Sequence, residues 1–263
     1  MKLFVTDLDG TLYPKDMNNK KEIFESNKVA VYEWIKKGNK FAVATARGIG
    51  YYETICNQLG FKVNFLGGNG AENVFDTGEI NLKSFPMKIC FDICEFIENL
   101  GIDASVSTIQ NGNWFWNTTS KYPIYDSKKP RWQYARLADR NIISPSSSIE
   151  RIAIFVREAE REEIKTILIG NFGKIVNITT SDIDTIDVGP INSSKGISIL
   201  ELAKKYNITP DNIVTIGDSE NDVAMFKISK RSYCIDHAEP VVCNAAWRIV
   251  PTVADAIMNE LRD

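Results

Sequence analysis

The chain has 263 residues, 44% of them hydrophobic and 25% charged, so it can bury a substantial core as one large domain or two smaller ones. Acidic residues (34) outnumber basic ones (31) and form a net charge of −3, which argues against a nucleic-acid binder. No apolar run approaches the roughly 18 residues that span a bilayer, and the N-terminus fits no signal or transit peptide, so we expect a cytoplasmic protein.

The number and spacing of the cysteines and histidines limit the kinds of site that the chain can form. The cysteines are odd in number and lack Cys-x-x-Cys spacing, which argues against a disulfide framework and a structural zinc site. We expect them to be ordinary small core residues: Cys56, Cys90, Cys94, Cys234 and Cys243. His237 is the only histidine, so proton transfer falls to carboxylates, lysine or metal-bound water.

The first 79 residues alternate between short apolar runs and amphipathic segments. Each apolar run predicts a buried parallel strand, and each amphipathic segment predicts a helix that packs on the sheet. The predicted strands are 3–5, 41–44 and 63–66, and the predicted helices are 27–37 and 51–59. This alternation with short links is typical of a doubly wound parallel sheet, with the polar segment 12–21 as a loop.

The pattern changes near residue 80. A predicted helix at 89–100 is followed by two segments of period-two alternation, at 104–109 and 113–117, which is typical of antiparallel strands. A serine-rich loop, a strand, a helix and two closing strands follow, at 144–148, 152–156, 160–169, 175–180 and 185–188. We therefore predict a second domain of α+β type at 80–188, inserted into a first domain made of 1–79 and 189–263.

The first pattern resumes after this insertion. A helix at 195–206 and a buried strand at 213–216 are followed by a last short strand near 233–235, which is expected to complete the sheet, and a terminal helix at 253–261. The predicted fold class is α/β, with a Rossmann-like doubly wound parallel-sheet core and the inserted α+β domain.

Polar side chains follow three of the predicted buried strands. Asp7 and Asp9 follow the first strand, Thr45 follows the second, and Asp218 and Asp222 follow the strand at 213–216. Ligands of open α/β sheets bind at the carboxyl ends of the strands, where an aspartate can attack phosphorus. Clustered carboxylates repel one another unless a cation neutralises them, and an all-oxygen site suits Mg²⁺. Taken alone, the Asp-Leu-Asp-Gly segment is more simply interpreted as turn chemistry, because Asp and Gly are favoured wherever a chain reverses.

In their order and spacing, these residues resemble the haloacid dehalogenase-like superfamily of phosphohydrolases. The opening Asp7-Leu8-Asp9-Gly10-Thr11 is similar to the first motif of that superfamily, Thr45 to the second, Lys195 to the third and Gly217-Asp218-Ser219-Glu220-Asn221-Asp222 to the fourth. The core resemblance covers about 1–78 and 189–263. The insertion, together with Asn-Gly-Ala at 69–71, looks like the Cof-type branch with a type-two (C2B-like) cap domain at 80–188.

The resemblance implies a Mg²⁺-dependent phosphatase that acts on a small phosphorylated metabolite, with a sugar phosphate as the expected substrate. Asp7 would attack phosphorus and form an aspartyl phosphate, while Asp9 would protonate the leaving oxygen and then activate water. Mg²⁺ would be held by the Asp7 carboxylate, the Asp9 main-chain carbonyl and Asp218, with Asp222 as a further ligand or as support.

The same resemblance implies a phosphate site. Thr45 and the amides around Gly10 would hold the transferring oxygens, and Lys195 would bind the phosphate and offset charge on it and on Asp7. Arg47 and Asn221 are further candidates to contact phosphate or substrate. Without the other motifs, Thr45 would be interpreted as a hydroxyl in a turn and Lys195 as a solvated residue at a helix start.

One region departs from the family pattern, and another is compatible with several roles. At 233–239 the Cof-type branch carries a Gly-x-Ala-Met-x-Asn-Ala-like segment that this chain lacks, so substrate range or regulation is expected to differ, and His237 is expected to be a surface loop residue. In the insertion, a group of aromatic residues with one arginine is compatible with a platform for a ring, with core packing and with a partner contact. Its members are Trp114, Phe115, Trp116, Arg131 and Trp132.

Two other functions remain open from the sequence. One is a phosphotransferase or phosphomutase on the same fold, and the other is a catalytically idle regulator that binds a phosphorylated ligand. The intact pair Asp7 and Asp9 argues against the second. We expect a small phosphorylated metabolite as partner, neither nucleic acid nor membrane, and a monomer or homodimer.

Overall fold

The computed structural model of the chain describes residues 1–15, 21–100, 105–109, 113–117, 136–137 and 148–262. Two compact units are present, one formed by Met1–Asn81 with Ser194–Asp263 and the other by Leu82–Ser193. Within the described ranges, no helix combines the length and apolar character needed to cross a membrane.

An eight-stranded sheet forms the centre of the first unit. In spatial order its strands are β16 (Arg248–Val250), β15 (Arg231–Ile235), β14 (Ile213–Gly217), β1 (Leu3–Thr6), β2 (Lys40–Ala44), β3 (Asn64–Gly67), β4 (Glu72–Val74) and β5 (Ile80–Leu82). The pairings from β16 through β3 are parallel, and β4 is antiparallel to β3. The predicted parallel core is confirmed, but the sheet does not end at β15, because β16 adds a further edge strand.

Helices cover both faces of this sheet. They are α1 (Glu25–Lys36), α2 (Tyr52–Leu59), α5 (Lys195–Lys205), α6 (Val223–Phe226), α7 (Pro240–Ala245) and α8 (Val253–Arg262). Phe4 packs in one core cluster with α1, α2 and α8, whereas Leu3 and Val5 pack in another with α5, α6 and α7. Because successive side chains of a strand point to opposite faces, a strand buried on both sides is apolar at nearly every position.

The central position of β1 determines where the polar residues after the strands lie. β1 pairs with β14 on one side and with β2 on the other. The amide of Asp7 donates to the carbonyl of Ile216 at 2.8 Å, which continues the β1–β14 pairing into the segment after the strand. The carboxyl ends of β14, β1 and β2 therefore lie side by side, and they bring Asp218, Asp7 and Thr45 to one edge of the sheet.

The second unit combines helices with mainly antiparallel strands. Its helices are α3 (Met87–Asn99) and α4 (Arg161–Phe172). Its six-stranded sheet has the order β12 (Val176–Asp182), β13 (Thr185–Pro190), β11 (Arg151–Phe155), β7 (Ser105–Ile109), β8 (Asn113–Asn117) and β9 (Arg136–Leu137), and β10 (Ser148–Ile149) pairs with β6 (Phe85–Pro86). The pairings are antiparallel except β8 with β9. The prediction of an inserted α+β segment is confirmed.

Some sequence predictions fall on residues or side chains outside the described part of the structure. Residues 114–116 lie in β8, whose side chains are outside the described part of the structure, and Arg131 and Trp132 lie outside the described residues altogether. Of the predicted serine-rich loop, 144–147 also lie outside, and Ser148 belongs to β10. The interpretation of the aromatic group stays open.

The cysteines are free thiols in the described structure. Cys56, Cys90, Cys94 and Cys234 are buried, and Cys243 is half-buried. The Sγ atoms of Cys234 and Cys243 lie 2.7 Å apart, between β15 and α7. The predicted role as small core residues agrees with this burial.

Candidate active site

A buried lysine connects the acidic residues of the site. Lys195 is the first residue of α5, and its side chain is only 1% exposed. Its Nζ atom donates to Asp7 Oδ1 and Asp222 Oδ1, both at 2.6 Å, and to Asn221 Oδ1 at 3.2 Å. Burial alone would lower the pKa of Lys195, but Asp222 and Asp7 raise it above its ordinary value. The lysine therefore stays charged and holds segments that are far apart in sequence.

Asp222 orders the loop that follows β14. Its Oδ2 atom accepts hydrogen bonds from the amides of Asp218 (2.9 Å) and Ser219 (3.0 Å), while its Oδ1 atom is bound to Lys195. A Cβ atom at Gly217 would lie 2.3 Å from Asp222 Oδ2, so glycine is needed for this close approach. Both carboxylate oxygens of Asp222 are thus engaged by the protein, which favours a supporting role over direct metal ligation.

Asp218 lies against the turn that follows β1. Thr11 Oγ1 donates to Asp218 Oδ1 at 2.7 Å, and His237 Nε2 lies 3.7 Å from Asp218 Oδ2. Gly10 has a φ of +86°, and a Cβ atom there would lie 2.3 Å from Asp218 Oδ2. Gly10 is therefore required both by its left-handed backbone and by the approach of the carboxylate. Burial and the charge of Asp222 raise the pKa of Asp218 to about 6, although the Thr11 hydrogen bond opposes this.

The three acids form a group that fits a divalent cation. Asp7, Asp218 and Asp222 offer carboxylate oxygens that all lie within 4.8 Å of one another. Burial raises the pKa of Asp7 well above its ordinary value, Lys195 lowers it, and the charges of Asp222 and Asp218 raise it further. Hard oxygen donors at this spacing suit Mg²⁺, and a cation would favour the ionised form of the acids. The chemistry of the donor set thus agrees with the metal that the sequence predicts.

Asp9 lies outside this acidic group and is held by Arg47 instead. Arg47 Nε and Nη2 donate to the two Asp9 carboxylate oxygens at 2.5 and 2.6 Å, and Lys21 Nζ lies 3.3 Å from Asp9 Oδ1. The guanidinium also lies 4.1 Å from the ring centroid of Tyr51. The Asp9 side chain is 45% exposed, so its carboxylate remains accessible.

Thr45 connects the Arg47 segment with the segment that follows β3. The Thr45 hydroxyl, only 1% exposed as a residue, accepts a hydrogen bond from the Arg47 amide at 3.1 Å. The Thr45 carbonyl accepts one from the amide of Asn69 at 2.9 Å. Asn69 has a left-handed backbone (φ 52°) and accepts from Asn221 Nδ2 at 3.3 Å. Thr45 and Asn221 are thereby linked to the same edge as Lys195.

Sequence reasoning missed two contributors to this region. Thr11 belongs to the first motif, which predicts no role for it, yet its hydroxyl donates to Asp218. Glu72 lies in none of the predicted motifs and is a buried carboxylate that accepts a hydrogen bond from the amide of Ile49 at 2.7 Å. The available signal for Glu72 was an acidic residue at the start of a short, otherwise uncharged segment. His237 is exposed, as predicted for a surface loop residue, although it faces Asp218.

The fold and this site together define a class: Rossmann-like enzymes with a lysine-bridged acidic cluster at the carboxyl ends of central parallel strands. The family model of haloacid dehalogenase-like hydrolases matches residues 4–261, and the chain therefore belongs to that family. The resemblance drawn from the four motifs is confirmed.

Named relatives and solved structures agree with this family over nearly full length. A 5-amino-6-(5-phospho-D-ribitylamino)uracil phosphatase of Bacillus subtilis is 23% identical over 263 residues, covering 100% of this chain and 95% of that protein. An HMP-PP phosphatase of Cronobacter sakazakii is 22% identical over 240 residues, covering 91% of this chain and 85% of that protein. A crystal structure from Streptococcus mutans UA159 superposes with a TM-score of 0.82 at 20% identity, covering 100% and 99% of the two chains, and shows the same fold.

Proposed function

We propose that the chain is a Mg²⁺-dependent phosphatase that hydrolyses a small phosphorylated metabolite through an aspartyl phosphate on Asp7. The observation that carries this proposal is the buried Lys195, whose Nζ atom lies 2.6 Å from both Asp7 and Asp222. A buried cation at this position lowers the pKa of Asp7 against the opposing effect of burial and attracts a phosphate towards it. The names of the two curated relatives, both phosphatases, support the same reaction.

Two displacements at phosphorus make up the reaction. An Asp7 carboxylate oxygen attacks phosphorus, the bond to the leaving oxygen breaks, and Asp9 gives that oxygen its proton. Asp9 then takes a proton from water, the water oxygen attacks phosphorus, and inorganic phosphate leaves with Asp7 restored. Because the Asp9 side chain is 45% exposed, it can turn from Arg47 towards the leaving group. The Arg47 guanidinium can then donate hydrogen bonds to the phosphate oxygens.

The remaining residues bind and orient the transferring phosphoryl group. Thr45, the amides around Gly10, and Lys195 hold its oxygens, with Arg47 and Asn221 as further contacts. Asn221 Oδ1 accepts a hydrogen bond from Lys195 Nζ at 3.2 Å, so the Asn221 side chain lies beside the lysine that would contact the phosphate.

Mg²⁺ would be held by Asp7, Asp218 and the Asp9 main-chain carbonyl, with Asp222 fixing the loop that carries Asp218. When bound, the ion offsets negative charge on the phosphoryl oxygens as the transition state forms. This chain's own contribution is to keep the acids within 4.8 Å of one another and to supply Lys195 as a fixed counter-charge.

Binding of Mg²⁺ is expected to depend on pH through Asp218. Its pKa is raised to about 6, so in the metal-free protein the folded state binds a proton more tightly than the unfolded state does. Metal-free stability then falls as pH rises from about 4 through about 6, because the folded chain must give up that proton. Mg²⁺ competes with the same proton, so its stabilising effect grows over this window.

The expected result is a rise in Tm on adding Mg²⁺ that is clearly larger at pH 7.5 than at pH 5, measured by differential scanning fluorimetry. Asp218→Asn serves as the control, because it removes both the titrating group and the ligand and should abolish most of the shift. An equal Mg²⁺-induced shift at both pH values would contradict the assignment.

Asp9→Asn is expected to reduce kcat by about 10²- to 10⁴-fold and to change ligand affinity much less, because the amide cannot transfer the protons. The loss of the half-exposed contact with Arg47 should cost at most about 1 kcal/mol of stability. Phosphate-release kinetics give kcat, and calorimetric titration with inorganic phosphate gives the affinity. Equal losses in both quantities would point to a structural role for Asp9.

The function is tested with an aryl phosphate substrate, with and without Mg²⁺, and then with a panel of phosphorylated metabolites. We expect phosphate release that requires Mg²⁺ and stops on chelation. A sugar phosphate is the substrate class that we expect to rank highest, since one relative is named for a phosphorylated ribityl compound. The absence of release from every ester, with correctly folded protein and Mg²⁺ present, would overturn the proposal.

The competing functions predict different fates for the phosphoryl group. A phosphotransferase or phosphomutase would pass it from Asp7 to a second hydroxyl, whereas a phosphatase passes it to water. A regulator without catalysis would bind a phosphorylated ligand and form no aspartyl phosphate. Trapping of labelled Asp7 and identification of the acceptor separate the three. The cap role of 80–188, the cytoplasmic location and the choice between monomer and homodimer stay predictions.

A further inference from the structure

A second buried carboxylate lies near the site and has no part in the reaction described above. Glu72 is the first residue of β4, opposite Gly67 of β3, and is 1% exposed. Its Oε2 atom accepts a hydrogen bond from the amide of Ile49 at 2.7 Å. Its Oε1 atom is buried without a hydrogen-bond partner among the residues that the structure describes. A buried polar atom without a partner is costly, so the position of this side chain calls for a physical reason.

Glu72 lies between two loops that reach the site. We call residues 45–49 the β2 loop and residues 67–70 the β3 loop. Backbone hydrogen bonds already join them, from Gly68 N to Arg47 O at 2.8 Å and from Asn69 N to Thr45 O at 2.9 Å. The Glu72 carboxylate fills the remaining space between them, as the two glycines that border it show.

A side chain at either glycine would collide with this carboxylate. A Cβ atom at Gly48 would lie 2.9 Å from Glu72 Oε2, and one at Gly68 would lie 2.9 Å from Oε1. Gly48 belongs to the β2 loop and Gly68 to the β3 loop. Each loop therefore presents bare backbone to the same side chain, so Glu72 sets the separation between them.

The hydrogen bond to Ile49 also fixes the direction in which the chain leaves the β2 loop. Ile49 begins a single 3-10 turn, Ile49–Tyr51, that runs directly into α2, and the preceding Gly48 provides no side-chain cap. The first amides of a helix lack partners within the helix, and Glu72 supplies an acceptor for one of them from a different element. The same turn carries Tyr51, whose ring lies under the Arg47 guanidinium.

We propose that Glu72 is a positioning residue for the phosphate site, which acts by holding the β2 loop in the one arrangement that directs Thr45 and Arg47 towards the phosphate. The inference rests on the proposed function. Glu72 itself contacts neither substrate nor metal. Its removal lets the β2 loop shift against the β3 loop, and displacements of about 1 Å at a group that binds the phosphate lower kcat/KM by up to about 100-fold.

The test compares Glu72→Ala and Glu72→Asp with Glu72→Gln. Alanine removes the acceptor and aspartate is too short to reach Ile49, so both should raise KM for an aryl phosphate and weaken inorganic phosphate binding by about tenfold or more. Glutamine keeps an oxygen acceptor for the Ile49 amide and should remain within about threefold of the parent chain. This rescue by the conservative variant separates positioning from a requirement for charge.

Glu260→Ala is the matched control. Glu260 is a buried glutamate of the same unit, 3% exposed, and accepts hydrogen bonds from Lys2, Arg231 and Tyr233. Its loss should lower Tm and leave KM and phosphate affinity unchanged.

A further test combines Glu72→Ala and Arg47→Ala in one double variant and compares it with each single variant. If Glu72 acts through the β2 loop, its substitution should have little additional effect once Arg47 is gone.

The outcomes separate the two proposals. If the parent chain releases phosphate but Glu72→Ala and Glu72→Asp affect KM no more than Glu260→Ala does, Glu72 is only structural and the inference is overturned. If Glu72→Gln is as impaired as Glu72→Ala, the hydrogen bond to Ile49 is not the cause, and the inference fails in that form. If the folded parent chain neither turns over phosphate esters nor binds inorganic phosphate, the proposed function itself has failed.

Discussion

Replacing Asp7 with asparagine is expected to abolish turnover and to leave the fold intact. The amide cannot attack phosphorus, and the loss of a nucleophile removes at least about 10⁴-fold of the rate in comparable covalent mechanisms. Stability should change little, because burial already raises the pKa of Asp7 and disfavours its charge. Lys195 keeps its second carboxylate partner, Asp222, at 2.6 Å.

Steady-state phosphate release and the far-ultraviolet circular dichroism of Asp7→Asn check this expectation. Asp211→Asn is the matched control, since Asp211 is an exposed acid of the same unit that pairs with Lys230 and should tolerate the change without loss of activity. Undiminished activity in Asp7→Asn would discard the covalent mechanism. Full loss of the native spectrum would show that the carboxylate is required for folding.

Lys195→Met is expected to have the largest effect on stability. It removes the buried cation that neutralises Asp7 and Asp222 and leaves both carboxylates without that partner. Breaking a buried ion pair by removing one member costs about 3–5 kcal/mol. Activity should also fall by about 10³-fold or more, because the phosphate loses a fixed positive charge in a site shielded from water.

Urea unfolding curves and kcat/KM for the same preparation measure both effects. Lys205→Met is the control within the same helix, where the pair with Glu79 is partly exposed and contributes at most about 1 kcal/mol. If Lys195→Met is as stable as Lys205→Met, another group compensates the buried negative charges of Asp7 and Asp222. Retained activity would contradict the central role of this lysine.

The sequence predicted the centre of the fold because its strands are buried on both sides. The runs at 3–5 and 41–44 are apolar at every position, and 213–216 is apolar except at Thr215, which is typical of a strand covered on both faces. The strands that were missed are short and carry mixed side chains, as in β4 with Glu-Asn-Val and β16 with Arg-Ile-Val. Their conformation depends on pairing with a neighbour already in place, which a local pattern does not reveal.

The positions of the site residues were also predictable, but their partners were not. Parallel strands end at a common edge, so Asp7, Thr45 and Asp218 had to be neighbours once the strand order was known. In contrast, the contacts of Asp9 with Arg47 and of Glu72 with Ile49 depend on rotamers and on loops that meet only in the folded chain. Residue spacing carries no information about such contacts. The functional roles therefore remain proposals that the variants above test.

The pairing of β1 with β14 has a consequence for how the protein is made. Leu3 lies opposite Ile213, so the middle of the central sheet joins residues separated by more than two hundred positions. During synthesis, β1 keeps one edge unpaired until β14 has emerged from the ribosome. Such long-range closure is slow and exposes apolar surface in the meantime. We expect chains truncated before residue 213 to aggregate rather than fold. We also expect the 263-residue chain to depend on chaperones during its synthesis.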